Sequence, residues 1–66
     1  MAYTPEELAT IAKATAKKYG CEAVRWWQDK GNPRQLWIEA RYKLSNGQWT
    51  KILLTASLPD KGEDRP

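Results

Sequence analysis

The chain contains no histidine and only one cysteine, Cys21, in its 66 residues. A single thiol cannot form an internal disulfide, and the usual cysteine and histidine sets that bind zinc are missing. Histidine is also unavailable as a general acid or base. We therefore expect no cofactor and no bound metal. The lone thiol favours a reducing, cytoplasmic compartment.

Long apolar runs are missing as well. No stretch approaches the roughly 20 residues that span a bilayer. The opening segment, MAYTPEEL, has neither the charged nor the apolar region of a signal peptide. We expect a soluble, unprocessed protein with no membrane partner. A chain this short allows one domain with a thin core, because it buries only about 60% of its unfolded surface.

Acidic residues are scarce in the middle of the chain. Residues 23–56 hold six lysines or arginines against Asp29 and Glu39 alone, within a net charge of +3. The spacing of Glu39 and Arg41 is faintly similar to that of a metal-dependent nuclease strand. Such a site needs a second strand carboxylate and usually a lysine at the later position, whereas Asp29 falls in a predicted turn. We therefore predict a binding protein, not an enzyme.

A helix is marked at both of its ends. Thr4 is placed as N-cap, Pro5 as the first helical residue, and Glu7 as the partner that closes a capping box. Gly20 occupies the position where helices often end in a left-handed residue. These signals predict a helix from Pro5 to about Tyr19, with an apolar stripe formed by Leu8, Ile11, Ala12, Ala16 and Tyr19.

Beyond Gly20 the hydrophobic period changes from helical to two, which is typical of strands. Three strands are predicted at about 22–28, 35–44 and 48–56, joined by turns at 31–33 and 45–47. The predicted fold is α+β, with one N-terminal helix packed on a three-stranded antiparallel β-meander (αβββ). We expect the domain to cover residues 1–58 and the polar tail, 59–66, to be disordered.

Strand register decides which side chains share a face. A two-residue loop at Asn46 and Gly47 mixes the two faces, whereas a three-residue loop with Gly47 left-handed matches apolar residues with each other. In the first strand Trp26 and Trp27 must point to opposite faces, and we place Trp26 inside. The predicted core comprises Leu8, Ile11, Ala12, Ala16, Tyr19, Val24, Trp26, Leu36, Ile38, Ala40, Tyr42, Ile52 and Leu54.

The opposite face of the sheet gathers aromatic rings and cations around Leu53. Bases stack on exposed rings and basic side chains contact phosphates, so this pattern favours single-stranded nucleic acid. Few side chains on the face are suited to distinguish base edges. We predict sequence-tolerant binding of single-stranded DNA or RNA by Arg25, Trp27, Trp37, Arg41, Lys43, Trp49 and Lys51.

Two other interpretations fit the same face. Cross-strand pairs such as Lys43 with Trp49 stabilise a sheet by roughly 0.2 to 1 kcal/mol each, which alone accounts for some exposed rings. Alternatively, the face binds a protein: a second copy packed sheet to sheet around Leu53, or a different protein, as in a phage-type inhibitor. The basic charge favours nucleic acid over protein, and no motif identifies a family.

Overall fold

The computed structural model describes residues 3–59. Helix α1 spans Pro5–Lys18, and three strands follow: β1 at Glu22–Gln28, β2 at Gln35–Lys43 and β3 at Trp49–Ser57. The strands form one antiparallel sheet in the order β1-β2-β3, and α1 packs on one face of it. The predicted α+β architecture is confirmed. The predicted disordered tail, 59–66, lies outside the described residues except for Pro59.

Helix α1 has the predicted caps. The Glu7 N–H donates to the Thr4 hydroxyl oxygen at 3.1 Å, and the Thr4 N–H donates to the Glu7 carboxylate at 2.9 Å. At the other end Tyr19 is the C-cap, one residue after the last helical position, and Gly20 is left-handed with φ +72°. The N–H of Cys21 reaches back to the Ala16 carbonyl at 2.8 Å and closes the helix end.

The β2–β3 hairpin has the predicted three-residue loop. The Gly47 N–H donates to the Leu44 carbonyl at 2.9 Å, and the Leu44 N–H donates to the Gln48 carbonyl at 2.7 Å. Gly47 has φ +89°, a conformation that side chains disfavour. Ala40 therefore pairs with Ile52 as predicted, and the rest of the β2–β3 register follows.

Strand β1 contains a β-bulge that the period-two pattern does not reveal. Ala23 pairs with Ala40 and Arg25 pairs with Glu39, so Val24 is an extra residue without a partner on β2. Its predicted place in the core is wrong, because Val24 is 49% exposed. Ala23 packs against the core instead, and beyond the bulge Trp26 points inward as predicted.

The core is smaller than predicted and extends one residue beyond the sheet. Predicted core residues Tyr19 and Ile52 are exposed, at 60% and 39%. Tyr19 follows the last helical turn, and Ile52 is uncovered because α1 packs mainly against β1. Leu58, which the sequence did not place in the core, is buried, and its N–H donates to the Arg34 carbonyl. The fully buried residues are Ala12, Ala16, Leu36, Ile38, Ala40 and Leu58.

Candidate nucleic-acid interface

The face of the sheet turned away from α1 is called the outer face here. On β2 it is formed by alternate residues between the buried Leu36, Ile38 and Ala40, and the strand register adds their neighbours on β1 and β3. All seven residues predicted to bind nucleic acid lie on it. The outer face comprises Arg25, Trp27, Trp37, Glu39, Arg41, Lys43, Trp49, Lys51, Leu53 and Thr55.

Two tryptophan rings at opposite corners of the outer face are accessible. Trp27 is 40% exposed and Trp49 is 49% exposed. Trp27 pairs with Trp37, and Trp49 pairs with Lys43. Positions 37 and 43 are six residues apart on β2, which is about 20 Å at the rise of a strand. The two accessible rings are therefore about 20 Å apart along the sheet.

Trp37 is held more tightly than the other two rings on this face. It is half-buried, and its indole N–H donates to Asp29 Oδ1 at 2.9 Å. The other Asp29 oxygen accepts from the Gly31 N–H at 2.9 Å. The hydrogen bond from Trp37 lowers the pKa of Asp29, the Gly31 and Asn32 backbone N–H groups add to this, and desolvation opposes it. Trp37 is therefore held in place at the end of the sheet next to the β1–β2 turn.

Glu39 lies at the centre of the outer face between two cations. Its Oε1 is 2.5 Å from Arg25 Nε and its Oε2 is 3.8 Å from Lys51 Nζ. The hydrogen bond from Arg25 lowers the pKa of Glu39; desolvation opposes this effect, and the charges of Arg25 and Lys51 reinforce it. Glu39 is therefore ionised at neutral pH and offsets part of the positive charge of the outer face.

A second carboxylate reaches the face from the start of β1. Glu22 pairs with Arg41 across the sheet, and Arg41 Nη2 lies 3.2 Å from Glu22 Oε1. The sequence did not place Glu22 at the site, because the bulge at Val24 shifts the register of the residues that precede it in β1. Lys43 has no carboxylate within 4.0 Å in the described part of the chain, so its charge is the least compensated of the four outer-face cations.

Cations of the face also lie against its accessible rings. The Arg41 guanidinium carbon is 4.2 Å from the centroid of the Trp49 ring, and Lys43 Nζ is 5.2 Å from the same centroid. The Arg25 guanidinium carbon is 5.2 Å from the Trp27 centroid. Such contacts contribute about 0.5–1 kcal/mol at exposed sites. Each accessible ring is thus accompanied by a positive charge.

Leu53 adds an apolar element between these charged groups. It is 54% exposed and pairs with Glu39 on the neighbouring strand. Around it lies a shallow depression lined by Arg25, Trp27, Glu39, Lys51, Ile52 and Leu53.

Together the fold and the site define a small α+β domain with an open sheet face of rings and cations. None of the protein-family models, curated proteins or solved structures compared with the chain matches it. Across residues 3–59, no three histidine, cysteine, aspartate or glutamate residues are grouped so that they would bind a metal ion. In the same residues no helix has the length and apolarity to cross a membrane.

Proposed function

We propose that this protein binds single-stranded DNA or RNA on its outer face with little sequence preference. The observation that carries the proposal is the pairing of each accessible ring, Trp27 and Trp49, with a cation within 5.2 Å. Bases that stack on these rings contribute about 1 to 3 kcal/mol each, and their phosphates then meet the neighbouring basic groups. The lone thiol of Cys21 fits a cytoplasmic location for this activity.

Sequence tolerance follows from how the polar groups of the face are used. Glu39 is the one outer-face carboxylate on β2, and it accepts a hydrogen bond from Arg25. Its oxygens are therefore already engaged and are poorly available to bases such as cytosine. Stacking and phosphate contacts do not distinguish bases strongly, so single-strandedness decides which ligand binds. The same engagement of Glu39 supports a binding role without catalysis.

Leu53 supports a second candidate, in which the outer face binds a protein. An apolar side chain that is 54% exposed beside Trp27 and Arg25 resembles the centre and rim of a protein interface. The charges around it are partly neutralised by Glu39, which lowers the cost of covering them. In this case Leu53→Ala weakens the complex strongly, whereas nucleic-acid binding depends on the rings and cations.

The first test uses Glu39→Gln, which removes the central negative charge and keeps the size of the side chain. We expect affinity for a single-stranded 12-mer to rise about five- to ten-fold at 50 mM salt, because about one more phosphate contact becomes available. The dependence of log affinity on log salt should steepen by about 0.7. Fluorescence anisotropy of a labelled oligonucleotide measures both quantities.

The matched control is Glu6→Gln, which changes the net charge equally on the exposed side of α1. We expect its affinity to stay within about two-fold of the wild type, because charges more than a Debye length from the ligand are largely screened. Unchanged or weaker binding by Glu39→Gln, in a protein with the wild-type circular dichroism spectrum, contradicts the proposed site.

A further inference from the structure

The outer edge of β3 has backbone groups without partners in residues 3–59. Two backbone hydrogen bonds mark the ends of the β2–β3 ladder: the Leu44 N–H donates to the Gln48 carbonyl, and the Leu58 N–H donates to the Arg34 carbonyl. They fix which residue pairs between β2 and β3 are hydrogen-bonded. In an antiparallel pair the bonded residues alternate along each strand. Even-numbered residues of β3 therefore bond to β2. The N–H and C=O groups of its odd-numbered residues, Trp49, Lys51, Leu53, Thr55 and Ser57, point to the open edge.

Strand β3 has few of the features that usually protect an edge. Its nine residues contain no proline and no bulge, and Lys51 is its only charged residue. Apolar side chains are exposed on both of its faces, with Leu53 on the outer face and Ile52 on the side that α1 leaves uncovered. The other edge of the sheet differs, because β1 is interrupted by the bulge at Val24.

The sequence of β3 is complementary to itself in the antiparallel direction. Leu53 is the central residue of Trp49–Ser57 and the most exposed apolar residue of the strand. Pairing with a second copy about a two-fold axis at Leu53 places Ile52 opposite Leu54 of the other copy. Lys51 then lies opposite Thr55, so no like charges meet.

The hydrogen-bonding pattern fits the same register. Leu53 lies opposite Leu53 of the second copy, and both direct their N–H and C=O groups to the shared edge. The same holds for Lys51 opposite Thr55 of the second copy and for Trp49 opposite Ser57. Every open backbone group of β3 therefore finds a partner in the second copy. The number of bonds formed is comparable to the roughly ten hydrogen bonds of a typical protein interface.

We propose that the protein forms a two-fold dimer by antiparallel pairing of β3 with β3 of a second copy, which joins the two sheets into one of six strands. The bulge in β1 prevents the same pairing at the far edges, so the assembly closes at two copies. The two outer faces become one continuous surface with Leu53 at its centre. The dimer does not depend on the function proposed for that surface.

Sedimentation velocity between 1 and 300 µM tests the dimer, with Leu53→Lys as the disrupting variant. Two lysines directly opposed across the axis destabilise the pairing, while a lysine at this exposed position leaves the monomer folded. Val24→Lys is the matched control, because it also exchanges an exposed apolar β-strand residue for lysine. We expect dimers for the wild type and Val24→Lys and a monomer for Leu53→Lys. A wild-type monomer throughout this range overturns the proposal.

A crosslinking experiment separates edge pairing from packing of outer face on outer face. Ile52→Cys and Leu54→Cys are made separately in a Cys21→Ser background, mixed and oxidised. Both positions lie on the inner side of the sheet, opposite each other only in the proposed register. We expect a disulfide-linked dimer in the mixture and at least ten-fold less in either variant alone. Equal crosslinking in all three samples, or none in the mixture, overturns the register.

Discussion

Replacing Arg41, Lys43 and Lys51 together with glutamine is expected to weaken binding of a single-stranded 12-mer by about two to three orders of magnitude at 50 mM salt. Each phosphate contact to a single strand contributes a salt slope of about 0.7, so the loss of three contacts removes a slope of about 2. Exposed ion pairs contribute little to stability, and the variant should therefore fold. Fluorescence anisotropy at several salt concentrations measures the loss and the slope.

The control for this variant carries the same change of net charge on another surface. Lys13, Lys17 and Lys18 are exposed on α1, which packs on the opposite side of the sheet from the outer face. Their joint replacement with glutamine should lower affinity by less than about three-fold, because they are distant from the ligand and screened by salt. Equal losses in the two triple variants indicate a nonspecific charge effect and contradict the proposed interface.

Replacing both Trp27 and Trp49 with alanine is the second change with a large expected effect. Each stacked base contributes about 1 to 3 kcal/mol, so the loss of either ring should weaken binding of a 12-mer by about 5- to 150-fold. The double variant loses both contributions. The salt slope should change little in these variants, because the cations remain. This separates stacking from phosphate contacts. Isothermal titration calorimetry at two salt concentrations gives affinity and slope together.

Ligand length makes the tryptophan experiment more specific. The two rings are about 20 Å apart along the sheet, so a 3-mer cannot stack on both of them. Removing one ring should therefore weaken binding of a 12-mer strongly and that of a 3-mer only slightly, because the 3-mer can still stack on the ring that remains. Tyr19→Ala is the control, because this ring is 60% exposed at the end of α1, away from the outer face. A loss with Tyr19→Ala as large as with Trp49→Ala contradicts the assignment of the rings.

The parts of the fold that depend on local sequence rules were predictable. Thr4 and Glu7 form the capping box, and Gly47 adopts the left-handed conformation that fixes the β2–β3 register. Each of these features requires only residues that are close together in the chain. The outer-face positions of Trp37 and Lys51 followed directly from that register.

The errors arose where one element's position depends on another. The bulge at Val24 has no signal in an alternating pattern, because a bulge interrupts the period that was used to place the strand. Ile52 has a core-like sequence position, but α1 lies mainly over β1 and leaves it uncovered. The helix position on the sheet is set by packing of the whole core, which periodicity does not describe.

At the candidate site, the positions set by the strand register were predictable, and the side-chain conformations were not. The residues of the face were predicted, whereas the bonds from Arg25 to Glu39 and from Trp37 to Asp29 depend on side-chain conformations. The neighbouring bond from the Gly31 N–H to Asp29 does have a signal in the sequence, because an aspartate commonly accepts the N–H of the residue two positions further along a turn. Glu22 was missed because its partner Arg41 lies across the bulged strand.

The most direct measurement of the central claim is a titration of the protein's tryptophan fluorescence with single-stranded DNA, single-stranded RNA and duplex DNA at 50 and 200 mM salt. Bases that stack on Trp27 and Trp49 should quench the emission, single strands should bind more tightly than duplex, and affinity should fall as salt rises. Sedimentation of the same samples gives the oligomeric state. No change in emission with any single strand at 50 mM salt contradicts the account and favours a protein partner for the outer face.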